Sequence, residues 1–64
     1  MYMDYSKISK IVSILIITFN LNSWQKDKLN YYVRMNQNQW IAERKREEEI
    51  EEILKQEVQR IASE

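Results

Sequence analysis

Sixty-four residues contain no Cys, His, Gly or Pro, and ten basic side chains balance ten acidic ones. Those absences exclude disulfide scaffolds, ordinary zinc sites, His- or Cys-dependent catalytic triads, phosphate-cradling Gly loops and collagen-like chains. A neutral total also removes the generic electrostatic case for nucleic-acid binding, so nucleic acid is not an expected partner.

A chain this short forms one domain at most, close to the lower limit for folding alone. Small domains usually need a staple, and without sulfur or metal the remaining staples are a second copy, a larger protein partner or a lipid surface. Turns that need Gly at positive φ are not expected. Long helices joined by short polar turns are, and the expected fold class is all-α. It would have two or three helices, arranged as a helical hairpin or a long-helix assembly, and would be oligomeric. Nine Ile, five Asn and four Tyr fit AT-rich coding, which suggests a bacterial, phage or other mobile-element source. The expected location is cytoplasmic, with membrane association as the alternative.

The first predicted element is an apolar helix over residues 6–21. At helical spacing Ile8, Val12, Leu15 and Phe19 share one stripe flanked by Ile11 and Ile16, while Ser6, Ser9, Lys10, Ser13 and Asn20 lie opposite. Its β-branched content argues mildly for a strand instead. Such a strand would have to pair with another chain. Its alternating sets, Val12, Ile14, Ile16, Thr18 and Ser13, Leu15, Ile17, Phe19, offer no Arg, Lys, Asn or Gln to base edges. Helix is the preferred reading.

The same stretch invites a membrane reading. Lys7 and Lys10 precede the apolar run, and Tyr2, Tyr5 and Trp24 could sit at interfaces. A helix from Ile8 to Trp24 reaches only about 25 Å, short of a hydrocarbon core of about 30 Å. "FNLNSW" offers no small-residue cleavage step of the signal-peptide kind. Burial against protein is preferred over lipid.

"NLNSW" marks the first break, with Ser23 as the expected N-cap and Asp27 adding negative charge early in a second helix over residues 23–36. Its apolar positions are Trp24, Leu29, Tyr32, Val33 and, farther on, Trp40. Lys26, Lys28 and Arg34 alternate with these aromatic residues, a mixture that can stack bases and hold phosphates, but protein packing is the simpler expectation. "NQNQ", residues 36–39, is either a turn or a polar stretch of one continuous helix, and continuity is preferred.

The third predicted element, a charged amphipathic helix over residues 39–62, is built from strong helix formers. Glu51–Lys55, Glu52–Lys55 and Glu57–Arg60 stand at pairing distances along it. Residues 43–49 contain no hydrophobe, so this stretch is read as a solvated bridge projecting from a core or joining two contacts. The stripe of Ile50, Leu54, Val58 and Ile61 would make a second, coiled-coil-like seam about two heptads long. Glu43, Glu47, Glu48, Glu49, Glu51 and Glu52 lack a His partner for a di-iron helix and are interleaved with Arg44, Lys45 and Arg46. No metal, cofactor or catalytic residue is expected.

Charge divides by half. Up to Asn36, Lys7, Lys10, Lys26, Lys28 and Arg34 against Asp4 and Asp27 leave +3, and the remaining residues carry −3. Opposite halves can fold together or associate between chains. The expected function is a non-enzymatic protein–protein interaction module (adaptor, inhibitor or assembly subunit) acting as a homo-oligomer or on a larger protein. A membrane-associated protein anchored by residues 8–24 is the alternative, and a small dimeric nucleic-acid-binding regulator a further one. The candidate interaction surface is Ile8, Val12, Leu15, Phe19, Trp24, Leu29, Tyr32, Val33 and Trp40, with Ile50, Leu54, Val58 and Ile61 as its second seam.

Overall fold

A computed structural model describes residues 3–64, so Tyr2 lies outside the described residues. Three helices follow in order: α1 (Tyr5–Thr18), α2 (Ser23–Ala42) and α3 (Glu47–Ala62). The protein is all-helical, with no strand among the described residues, so the paired-strand reading of residues 12–19 is corrected. Each helix touches both others, which makes a three-helix bundle rather than a hairpin.

Each boundary has a local cause. Asp4 caps α1, its carboxylate accepting the Lys7 backbone N–H at 2.9 Å. α1 ends on a paired-bond turn in which Asn20 N–H reaches the Ile17 carbonyl at 3.2 Å and Leu21 N–H the Ile16 carbonyl at 3.1 Å. This is a Schellman motif, and it seats Leu21 in the interior beside half-buried Ile16. The expected run of α1 to residue 21 is thereby shortened.

Asn22, not Ser23, caps α2. Gln25 N–H donates to Asn22 Oδ1 at 2.8 Å, and Asn22 N–H donates to Gln25 Oε1 at 3.0 Å. A cap on Ser23 would have placed Lys26 at the reciprocating position, and an ammonium cannot accept a hydrogen bond.

Neither reading of "NQNQ" survives intact. Residues 36–39 are helical, and the chain turns instead after Ala42. Helix through the polar tetrad keeps Leu29, Val33 and Trp40 on one buried face, with Tyr32 packed on Trp40 at a ring separation of 6.0 Å. The Asn36 side-chain amide also donates to the Tyr32 carbonyl at 2.7 Å. The turn falls where burial has nothing to lose, within the hydrophobe-free residues 43–46. A second Schellman motif closes α2, with Arg44 N–H to Ile41 carbonyl at 3.0 Å and Lys45 N–H to Trp40 carbonyl at 3.1 Å. The stretch read as a projecting helical bridge is therefore the corner that folds α3 back.

Both turns need a left-handed residue, and a chain without Gly supplies Asn20 at φ 51° and Arg44 at φ 56°. The expectation that positive-φ turns would be absent is corrected. α3 begins without a side-chain acceptor at Arg46, whose backbone N–H reaches Glu49 Oε1 at 3.5 Å. Glu47, Glu48 and Glu49 in its first turn and Arg60 in its last complement the helix dipole.

One interior results. Ile8, Ile11, Val12 and Leu15 of α1 meet Leu29, Val33 and Trp40 of α2 and Ile50, Leu54, Val58 and Ile61 of α3, with Met3 and Leu21 closing the ends. The two separate seams expected from the sequence are thus a single core within one chain. Among the described residues no polar or charged side chain is buried, so the core needs no internal hydrogen-bond network.

Two stability tests follow from this geometry. Arg44→Gly removes the left-handed penalty and should stabilise by about 1 kcal/mol, a rise of roughly 4–8 °C in Tm. Asn20→Gly should gain less, and destabilisation by Arg44→Gly would show that the turn is otherwise built. Leu54→Ala should cost about 3 kcal/mol in urea unfolding, whereas Ile17→Ala should change stability by under about 0.5 kcal/mol. A Leu54→Ala loss no larger than that of Ile17→Ala would mean that α3 does not dock.

Candidate functional site

Folding withdraws most of the residues expected to form an interaction surface. Ile8, Val12, Leu15, Leu29, Val33, Trp40, Ile50, Leu54, Val58 and Ile61 are interior, and Tyr32 is half-buried against them. Phe19 and Trp24 were expected in the main hydrophobic contact, yet they stand 38% and 55% exposed. Phe19 continues the Ile8–Val12–Leu15 spacing, but α1 ends one residue before it and Leu21 takes the interior place. Trp24 lies five residues before Leu29, about 140° around the helix from it.

What remains outside was largely missed. Ile14 and Ile17 are 61% and 78% exposed on the outer side of α1, and Tyr31 and Met35 are exposed on α2. A usable signal existed in the sequence. Seven large hydrophobes in nine residues cannot share one helix face at 100° per residue, so some had to point away from the core.

The α1 face has definite relief. A groove of about 340 Å³ runs between α1 and α3, lined by Ile11, Ile14, Leu15, Thr18 and Phe19 on one side and by Glu51 and Lys55 on the other. Among the described residues Lys55 forms no ion pair with Glu51 or Glu52, so the expected pairs do not form there. Lys7 and Lys10 are the only charged residues of α1 itself.

The α2 face is a narrow stripe. Trp24, Lys28, Tyr31 and Met35 recur at helical spacing along its outer side. Lys28 is engaged within the chain, its ammonium 4.1 Å from the Trp24 ring centre and 2.7 Å from Glu64 Oε2. Arg60 Nη1 approaches Glu64 at 3.2 Å, and Arg60 also pairs with Glu57, as the sequence spacing suggested. This clasp joins the start of α2 to the end of α3. It occupies one aromatic–cation pair that otherwise could have held a nucleotide.

An α1–α2 groove is edged by the hydroxyls of Tyr5, Ser9 and Ser13, the amides of Asn30 and Gln37 and the guanidinium of Arg34. Among the described residues no group of acidic side chains is arranged to hold a metal ion. No described helix is long and apolar enough to cross a membrane. α1 spans 14 residues, or about 21 Å. Tyr32 has its phenol pKa raised, first by burial and then by the Glu57 carboxylate. That shift matters only in strongly alkaline solution.

No known protein family, curated protein or solved structure matches this chain.

The clasp makes an acid-side prediction. The Lys28 hydrogen bond holds the Glu64 carboxyl below the ordinary carboxylate range. A depressed folded-state pKa contributes stability above the unfolded value and loses it as pH falls through the folded one. Both groups are at the surface, so the effect is small. Glu64→Gln should flatten part of the Tm decline between pH 5 and pH 3 (about the carboxylate range), and an identical pH profile in variant and parent would exclude the clasp.

Proposed function

We propose that this chain is a small non-enzymatic protein–protein interaction module, an adaptor, inhibitor or assembly subunit that works by helix–helix contact in the cytoplasm. The observation that carries this reading is the outer face of α1. Ile14, Ile17 and Phe19 stay exposed there although the interior is already filled by thirteen other buried hydrophobic residues. Each large aliphatic side chain left in water forgoes about 1.5–3 kcal/mol of burial. Adjacent exposed hydrophobes on a small domain commonly mark a contact surface.

Chemistry supports the same reading from the other side. Contact needs shape and apolar area, which this chain has, and no reactive group beyond ordinary hydroxyls, amides, amines and carboxylates. Membrane association competes for the same face, because Lys7 and Lys10 lie on the helix that carries it. It would be peripheral, with α1 lying in the interface rather than spanning.

A photoreactive residue at Ile17 or Tyr31, activated in the source cells, tests the proposal. The expected result is a discrete protein adduct at one of these positions and none from the same probe at Glu48. Adducts confined to lipid, or no adduct at either position, would overturn it.

A further inference from the structure

We propose that two copies of this chain exchange α3. The corner at residues 43–46 straightens, α2 and α3 become one continuous helix, and each α3 packs on α1 and α2 of the second copy. The outer face of α1 keeps its exposure in either form, so this goes beyond the interaction-module reading and does not depend on it.

The two corners of the fold are built from different residues. At the first, Asn20 takes the left-handed conformation and Asn22 caps α2, and both roles suit an Asn side chain. At the second, Glu43, Arg44, Lys45 and Arg46 are all good helix formers. Arg44 is held there at φ 56°, and Arg46 gives α3 no side-chain cap. The local preference of residues 43–46 is helix, and the docking of α3 within its own chain is what holds them as a turn. A short strained hinge of this kind favours exchange between copies.

The stripes on either side of the corner are already in phase for a straight helix. From Leu29, alternate steps of four and three residues reach buried Val33, Trp40, Ile50, Leu54 and Ile61 with no slip across the corner. That spacing is the seam of a helix pair. α2 and α3 are antiparallel, with Lys28 near the start of one against Glu64 just past the end of the other. The corner is thus the midpoint of the pair. A two-fold axis at Lys45 sets each α3 on the second copy's α2 close to the register it has within one chain, Leu29 level with Ile61 and Trp40 with Ile50. α1 begins level with Asn38, through the Tyr5–Asn38 hydrogen bond, so it stops short of the axis and stays on its own α2. Each half of the dimer then repeats the core of one chain, and no new apolar surface is required. Glu43 and Glu47 of both copies take inward positions near the axis, which opposes the exchange and lets single chains persist.

Refolding of the full chain from urea at about 1 mM, where even weak complexes form, tests the exchange. Sedimentation should show a species of twice 7.9 kDa. Two spin labels on one chain, at Lys26→Cys and Ser63→Cys in a sequence with no other Cys, read its topology after dilution with unlabelled chain. In a closed chain the labels stand about 20 Å apart, two helix diameters, and in a straightened one about 55 Å apart. Arg44→Gly relaxes the corner and suits a helix poorly, so it should weaken dimerisation at least about tenfold. Glu43→Leu with Glu47→Leu, at positions exposed in the single chain, should strengthen it about tenfold by filling the seam. Monomer mass alone after refolding would overturn the exchange, as would a dimer whose labels keep the short spacing. So would a dimer equally strong in the parent, the Arg44→Gly variant and the paired Leu variant.

Discussion

The packing of α3 onto the other two helices is the constraint on which the structure depends. Ile50, Leu54, Val58 and Ile61 are fully enclosed, and nothing in α1 or α2 alone could enclose them. Without α3, the inner stripes of α1 and α2 would each lie open along one side. Its return requires a sharp corner at residues 43–46 and a left-handed Arg44. The corner costs about 1–2 kcal/mol, while enclosing four large aliphatic side chains contributes about 1.5–3 kcal/mol each. Apolar burial wins by a wide margin, so a chain with neither Gly nor Pro still turns sharply twice.

Electrostatics organise the surface rather than hold the fold. α1 carries Lys7 and Lys10 without an acid, and α3 carries six Glu against Lys55 and Arg60. Folding lays the acidic helix beside the basic ones, and the Lys28–Glu64 salt bridge ties the start of α2 to the residues just past α3. Exposed pairs of this kind contribute at most about 1 kcal/mol. On the apolar groove between α1 and α3 the charged lining, Glu51 and Lys55, comes from α3 alone.

The core and the outer face draw on one pool of side chains. The interior takes Ile11, Val12 and Leu15 from the apolar run and half of Ile16, leaving Ile14, Ile17 and Phe19 outside. A single side of a helix can bury only part of so dense a run. The excess hydrophobicity of α1 is therefore unnecessary to the fold, and it is the feature on which the proposed contact rests. The aromatic stripe on α2 differs, since Trp24 is already engaged by Lys28 within the chain.

Helix as the state of all three segments was legible in the sequence, because period and composition are local properties that survive folding. So was the identity of most core residues, since the stripes of Ile8, Val12 and Leu15, of Leu29 and Val33, and of Ile50, Leu54, Val58 and Ile61 are set by 3.6-residue periodicity alone. Which stripe faces which was not legible. A pattern says that a face must be covered, and it does not say whether the cover comes from another chain or from the same one. The corner at residues 43–46 decided that, through bonds from Arg44 and Lys45 that no periodicity encodes. The exposed surface followed from the same decision. Once the tail of the chain covered the inner side of α1, only the tertiary arrangement could show that Ile14, Ile17 and Phe19, indistinguishable in composition from their buried neighbours, had been left in water.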